Sequence, residues 1–170
     1  VNQDLALGAA IFLGAFALLS FLDGVVFHLF LERLPFRQSS RLEHRLHTGR
    51  ALVFPGLLHE FFGRGGPTSA GWVLLGVDQI LEFWDMAIER RSRHPAGLSS
   101  PEYLLHGVLV TLRTAAVLCA ALASSSGPGA VALGSLVSAL LPGAVLVALV
   151  HLVLAVAPDR WSRFQARVPS

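Results

Sequence analysis

Histidine and carboxylate residues recur near matching ends of long apolar runs, and they are the side chains of this sequence with chemistry to offer. Asp23 and His28 lie inside the run 5–31, His106 just inside the start of 101–124, and His151 shortly before the end of 130–157. Asp78, Glu82, Asp85 and Glu89 follow i, i+4, i+7, i+11, which lines four carboxylates along one helical stripe. Imidazole with carboxylate is the ligand set of zinc, iron and some copper sites. Neutral imidazole gives affinity there, and carboxylates cancel a cation's charge where burying it alone would be prohibitive.

The elements that must hold these groups are membrane elements. The chain of 170 residues is 54% hydrophobic and 14% charged, with a mean hydropathy of +0.62. A soluble domain carries roughly a quarter charged residues. The runs 5–31, 103–123 and 130–157 each reach the roughly 20 apolar residues that cross a hydrocarbon core. The first is too long for a signal-peptide core and lacks a basic start and a small-residue cleavage site, so it reads as a span. Cys119 stands alone, which excludes a disulfide framework and a thiolate cluster.

Between the spans lie an arginine-studded stretch from Arg33 to Arg50, a short apolar segment 51–62 containing Pro55, and a Gly/Pro turn at 63–70. A helical pattern at 71–91 and a loop at 94–101 follow, and SSSGPG joins the last two spans. All cations are arginine. With the N-terminus outside, Arg33–Arg50, Arg90–Arg93 and Arg160–Arg167 fall on the cytoplasmic side and only Arg64 lies outside, a positive-inside pattern. The basic balance is thus a topology signal, and no nucleic-acid partner is expected. The pattern holds for five spans, or for three spans with 44–90 as a surface hairpin. Five is preferred, because Val73 to Trp84 is too apolar for water. The expectation is one all-α transmembrane bundle over 1–170, N-terminus outside and C-terminus cytoplasmic.

Counting helical rise from the cytoplasmic ends places His28, His47, His106, His151, Glu82 and Asp85 in one slab. Asp23, Asp78 and Arg113 form a slightly deeper layer able to balance its own charge. Ionisable residues at such depths face the bundle interior. On an α-helix Asp23 and His28 stand roughly 140° apart and address different neighbours. The four-carboxylate stripe needs a cation opposite, be it Arg113, protonated histidine, the arginine stretch or a metal. His44 and His47, set among arginines, read as a headgroup-level face, although their i, i+3 spacing can share a ligand. His59 and His94 read as loop or interfacial residues, and Trp72, Trp84 and Trp161 as interfacial anchors. Asp23-Gly24 fits a close helix crossing.

Familiar templates do not apply. The chain lacks the Glu-x-x-His of di-iron bundles, the repeated histidine boxes of membrane desaturases, a G-x-S-x-G nucleophile and a P-loop. A bis-histidine haem would leave the acidic stripe unexplained.

The stretch FLDGVVFHLFLER resembles the first-helix signature of an uncharacterised family of small bacterial membrane proteins, in which Asp-Gly-x-x-x-His opens a polar site. Phe83-Trp84-Asp85 and Glu102-Tyr103-Leu104-Leu105-His106 are similar to two later elements of that family. Leu29 stands where the family continues with Gln, and its His-His pair is missing. The resemblance implies a multi-helix bundle with inward-facing Asp23, His28, Asp85 and His106. The expected location is a bacterial inner membrane.

The leading expectation is a divalent metal ion (zinc, iron or copper) near the cytoplasmic side, held by His28, His106 and His151. Asp85 or Glu82 completes the shell, with Asp23 as orienter or general base of a metal-dependent membrane enzyme. The alternatives are a non-catalytic subunit of a larger membrane complex and a proton or ion carrier, the latter as a homo-oligomer. An enzyme should show a cavity open to lipid or cytosol, and a carrier a continuous polar path through Asp23, Asp78 and Arg113.

Overall fold

A computed structural model describes residues 2–31, 34–36, 38–92, 100–123 and 125–157. Arg33, Arg37, Arg93, His94, Trp161 and the C-terminal arginines lie outside these residues. The described chain is helical throughout, without a strand. Helix α1 (Asn2–Phe21) runs on into a π-helical segment, Leu22–Leu31. Two 3-10 turns lead to α2 (Arg41–Leu57), which itself continues as a π-helical Leu58–Gly63 just after Pro55. Helices α3 (Ser69–Ser92), α4 (Ser100–Leu122) and α5 (Pro128–Val156) follow.

The breaks fall where local chemistry puts them. Gly65 (φ 75°) and Gly66 (φ 150°) turn the chain between α2 and α3 in backbone conformations that L side chains rarely adopt. Thr68 then accepts the Gly71 amide on its hydroxyl, capping α3, while its own hydroxyl donates to the Glu60 carboxylate at 2.8 Å. Gly127 (φ 99°) and Pro128 start α5 in the same manner.

Successive helices reverse direction. Gly8 meets Cys119 while Asp23 meets His106, and Thr48 reaches His151 while Gly63 meets Val137. α1 packs on α4 and α5, and α2 packs on α3 and α5. Ala9, Ala10, Ala116 and Ala120 are buried in this contact set, and such small residues let helix backbones approach closely where lipid offers no hydrophobic drive. The apolar core fills the end where the chain starts, with Leu13, Leu57, Leu58, Phe61, Phe62 and Val137. Gly71 marks the tightest crossing: a Cβ there would stand 2.8 Å from the Glu60 carbonyl oxygen.

Three helical stretches are long and apolar enough to cross a membrane: Asp4–Leu31, Ser100–Leu122 and Pro128–Val156. α3 has a different make-up. Trp72, Val73, Val77, Ile80, Phe83, Trp84 and Met86 are exposed, whereas Asp78, Glu82, Asp85 and Glu89 are all buried. These four acids are turned inward and the described outer face is apolar, which a whole-helix hydropathy average conceals.

Candidate functional site

The polar residues gather at the end of the bundle opposite the apolar core, in two layers. The deeper layer joins α2, α3 and α4. Arg113 Nη1 lies 2.6 Å from Asp78 Oδ2 and its Nη2 2.6 Å from Glu82 Oε2. Arg50 adds Nε to Asp78 and Nη2 to Glu82, both at 3.2 Å, and Gln79 donates to Glu82 at 2.7 Å. Two arginines thus face two carboxylates, the cationic partner that the acidic stripe demanded. Charges this deep persist only when each is matched in this way. The layer balances its own charge as expected, but with Glu82 in the place expected for Asp23.

Asp23 belongs to the outer layer. There His28 Nε2 lies 3.7 Å from both Asp23 Oδ1 and Glu102 Oε1. His106 Nε2 lies 3.4 Å from Asp23 Oδ2, while its Nδ1 faces Glu89 Oε1 at 3.5 Å. His47 Nε2 stands 3.2 Å from Asp85 Oδ2, yet it lacks the alignment of a hydrogen bond. The His28 ring centroid is 4.5 Å from that of His47 and 5.8 Å from that of His106. Ligand atoms of Asp23, His28 and His106 all lie within 4.8 Å of one another, as do those of Glu89, Glu102 and His106.

Asp23 and His28 therefore share one face, contrary to the α-helical expectation. The cause is the π-helix at Leu22–Leu31, whose i→i+5 hydrogen bonds carry residue 28 round to lie near residue 23. Gly24 is no close crossing either. A Cβ there would meet nothing within 4 Å, and Gly24 lines open space.

His44 and His47 also differ from expectation. α2 turns Glu43, His44, Leu46 and Thr48 inward and leaves Arg41 and Arg45 exposed, so His44 is buried and His47 largely so. Their ring contacts differ. His44 stacks on His151 with ring centroids 5.3 Å apart, and Thr48 donates to the His44 carbonyl at 2.8 Å and reaches the His151 carbonyl at 3.4 Å. Of the residues named from sequence, the structure brings Asp23, His28 and His106 together, with Asp85 alongside through His47. His151 lies at the margin against His44, and Glu82 is occupied by arginine. Glu89, Glu102 and His47 complete the group. The i, i+4 spacing of Glu102 and His106 was the signal for one of them, and the stripe ending at Glu89 for another. His59 is exposed beside Glu60, but on the π-helical end of α2 rather than in a loop.

A cavity of about 1080 Å³ opens beside this cluster, floored by Asp23, His28, His106 and Glu89 and walled by Phe16, Phe54 and Leu109. Beyond Arg113 the described residues offer no continuation of the polar layers: Leu13, Leu57, Phe61 and Val137 close the bundle. Comparison with protein-family models, curated proteins and solved structures finds no match.

Proposed function

We propose that this protein is an integral membrane enzyme whose outer polar layer holds a divalent transition metal. One observation carries the reading. Histidine nitrogens and carboxylate oxygens from α1 with its π-helical extension and from α4 stand 3.4–3.7 Å apart around His28 Nε2 and His106 Nε2. Donors sharing a tetrahedral ion with bonds of about 2.0–2.1 Å stand roughly 3.3 Å from one another. Direct hydrogen bonds between such groups run shorter, near 2.7–2.9 Å. The cluster thus has the spacing of groups arranged about a common ion.

The ligands in this reading are Asp23, His28 and His106 through Nε2, with Glu102 beside His28 Nε2 at 3.7 Å. Glu89, 3.5 Å from His106 Nδ1, would take the Nδ1 proton once Nε2 binds an ion, the usual outer partner of a metal-bound imidazole. Asp23 becomes a ligand in place of the general base. The His47–Asp85 pair, one ring away from His28, takes that role: a carboxylate 3.2 Å from Nε2 favours the imidazole's gaining a proton. A bound ion would supply Lewis acidity toward a substrate oxygen, or redox capacity were it iron or copper. Arg113 and Arg50 tie α3 to α2 and α4 beneath the site and keep its walls in place.

The apolar outer face of α3 supports a bundle with all five helices in the membrane, and the arginine distribution supports an N-terminus outside. The carrier reading is not favoured, because an apolar core closes the polar path. The test is elemental analysis and an absorption spectrum of detergent-purified protein beside a His28→Ala/His106→Ala double variant. A stoichiometric metal in the native protein, lost in the variant, is the expected result. A folded, metal-free native protein would overturn the reading and return the layers to helix packing.

A further inference from the structure

α3 packs on α2 and α4 packs on α1, and between α3 and α4 run two charged links. Arg113 reaches Asp78 and Glu82 at the deep end, and His106 faces Glu89 near the outer end. From His106 to Arg113 the helix advances two turns, about 10 Å. The cavity lies behind this stretch. Met86 of α3 and Tyr103, Gly107 and Val110 of α4 both line it and are exposed on the outside of the bundle. They therefore form the rim of an opening, and α4 is one of the helices apolar enough to cross a membrane.

The two sides of the cavity ask for different things. Its polar lining is carboxylate, imidazole and the guanidiniums of Arg50 and Arg113, and its apolar lining includes Phe16, Ala51, Phe54, Leu109 and Val147. A fully polar occupant would leave the aromatic wall against water or charge, and a fully apolar one would leave the floor unsolvated. At about 1080 Å³ the space is at or above the roughly 300–1,000 Å³ of ordinary small-molecule sites. We infer that the site takes a single-chain membrane amphiphile with an oxygen-bearing head, which enters sideways between α3 and α4. The head reaches the His/carboxylate floor and the chain lies along Phe16, Phe54 and Leu109. The part of this concerning what the head meets rests on the metal reading; the entry route does not.

The experiment uses the full chain in phosphatidylcholine vesicles with a long-chain alcohol bearing a diazirine in its tail, and maps photolabelled residues by mass spectrometry. Labelling of Phe16, Phe54 and Leu109 should saturate and be competed by the unlabelled alcohol, whereas Leu118 and Leu146 on the exposed face should label without saturation. Gly107→Phe and Val110→Trp narrow the opening. A Cβ at Gly107 meets nothing within 4 Å, and Val110 is exposed, so both variants should fold. Each should cut the saturable labelling roughly tenfold, equivalent to about 1.4 kcal/mol of binding, and leave metal content unchanged. Labelling confined to the exposed face, or cavity labelling indifferent to both plugs, would overturn the route. Metal measured on the same preparations separates the two ideas. Loaded protein without saturable labelling sinks the amphiphile alone, and saturable labelling of metal-free protein upholds the route while removing the metal.

Discussion

His28 Nε2 stands 3.7 Å from Asp23 Oδ1, although the two residues are five apart on one helix. The π-helical turns of Leu22–Leu31 make that possible, and the site depends on them. The register can be tested directly. Exchanging the two neighbours, Phe27→His with His28→Phe, conserves composition and creates an i, i+4 pair that an α-helix would favour. In the π register it moves the imidazole off the cluster, so metal should be lost. Retained metal would show the segment to be α-helical in the membrane.

Glu82 and Glu89 lie on one stripe of α3 but have different partners, and their conservative variants should separate. Glu89→Gln removes the carboxylate from His106 Nδ1 and should weaken metal binding roughly 10- to 100-fold, as losses of such outer partners do. Glu82→Gln breaks pairs with Arg50 and Arg113 and should lower stability while metal stoichiometry holds. Metal titration alongside thermal unfolding distinguishes them. Equal effects on both readouts would count against a layered site.

Arg113 is buried against two carboxylates at 2.6 Å. Arg113→Met would leave those carboxylates with Arg50 alone and should cost about 3–5 kcal/mol, the usual penalty for removing one partner of a buried pair. Asp78→Asn added to that variant should recover part of the loss by removing one surplus negative charge. The measure is reversible unfolding in mixed micelles, and additive losses would refute the coupling.

Gly71 and Gly76 lie on the same helix with opposite surroundings. A methyl at Gly71 meets the Glu60 carbonyl at 2.8 Å, and one at Gly76 meets nothing within 4 Å. Gly71→Ala should destabilise by about 1–3 kcal/mol. Gly76→Ala should be neutral or stabilise by up to about 1 kcal/mol, the difference in helix propensity. Melting temperatures of the two variants decide the matter.

Imidazole binds metal in its neutral form, so acid competes with the ion for His28 and His106. Protein dialysed at progressively lower pH should release metal and take up protons in proportion. The sign is fixed: affinity rises with pH until both imidazoles are neutral. Retention of metal in strong acid would show that these histidines are not its ligands.

The amino-acid sequence by itself determined the helical class, the three helices apolar enough to span a membrane, the Gly/Pro turns before α3 and α5, and the end of the bundle at which most of the polar residues gather. These follow from local quantities: apolar run length, the backbone freedom of Gly and Pro, and a fixed rise per residue. It also placed the four acids of α3 on one stripe and required cations opposite. What it did not determine was which residue meets which. Asp23 was assigned to the charge-balancing layer and Glu82 to the histidine layer, but Asp23 lies with His28 and His106 and Glu82 with the arginines. Arg50 arrives from α2 to hold Glu82, and the π turns rotate His28 onto the face of Asp23. His47 and His44 turned inward for a similar reason, since the face α2 buries is set by α3 and α5 rather than by its neighbouring arginines. Depth is a property of one helix, but partnership needs the rotation of each helix about its axis. Only the packing of all five fixes that rotation.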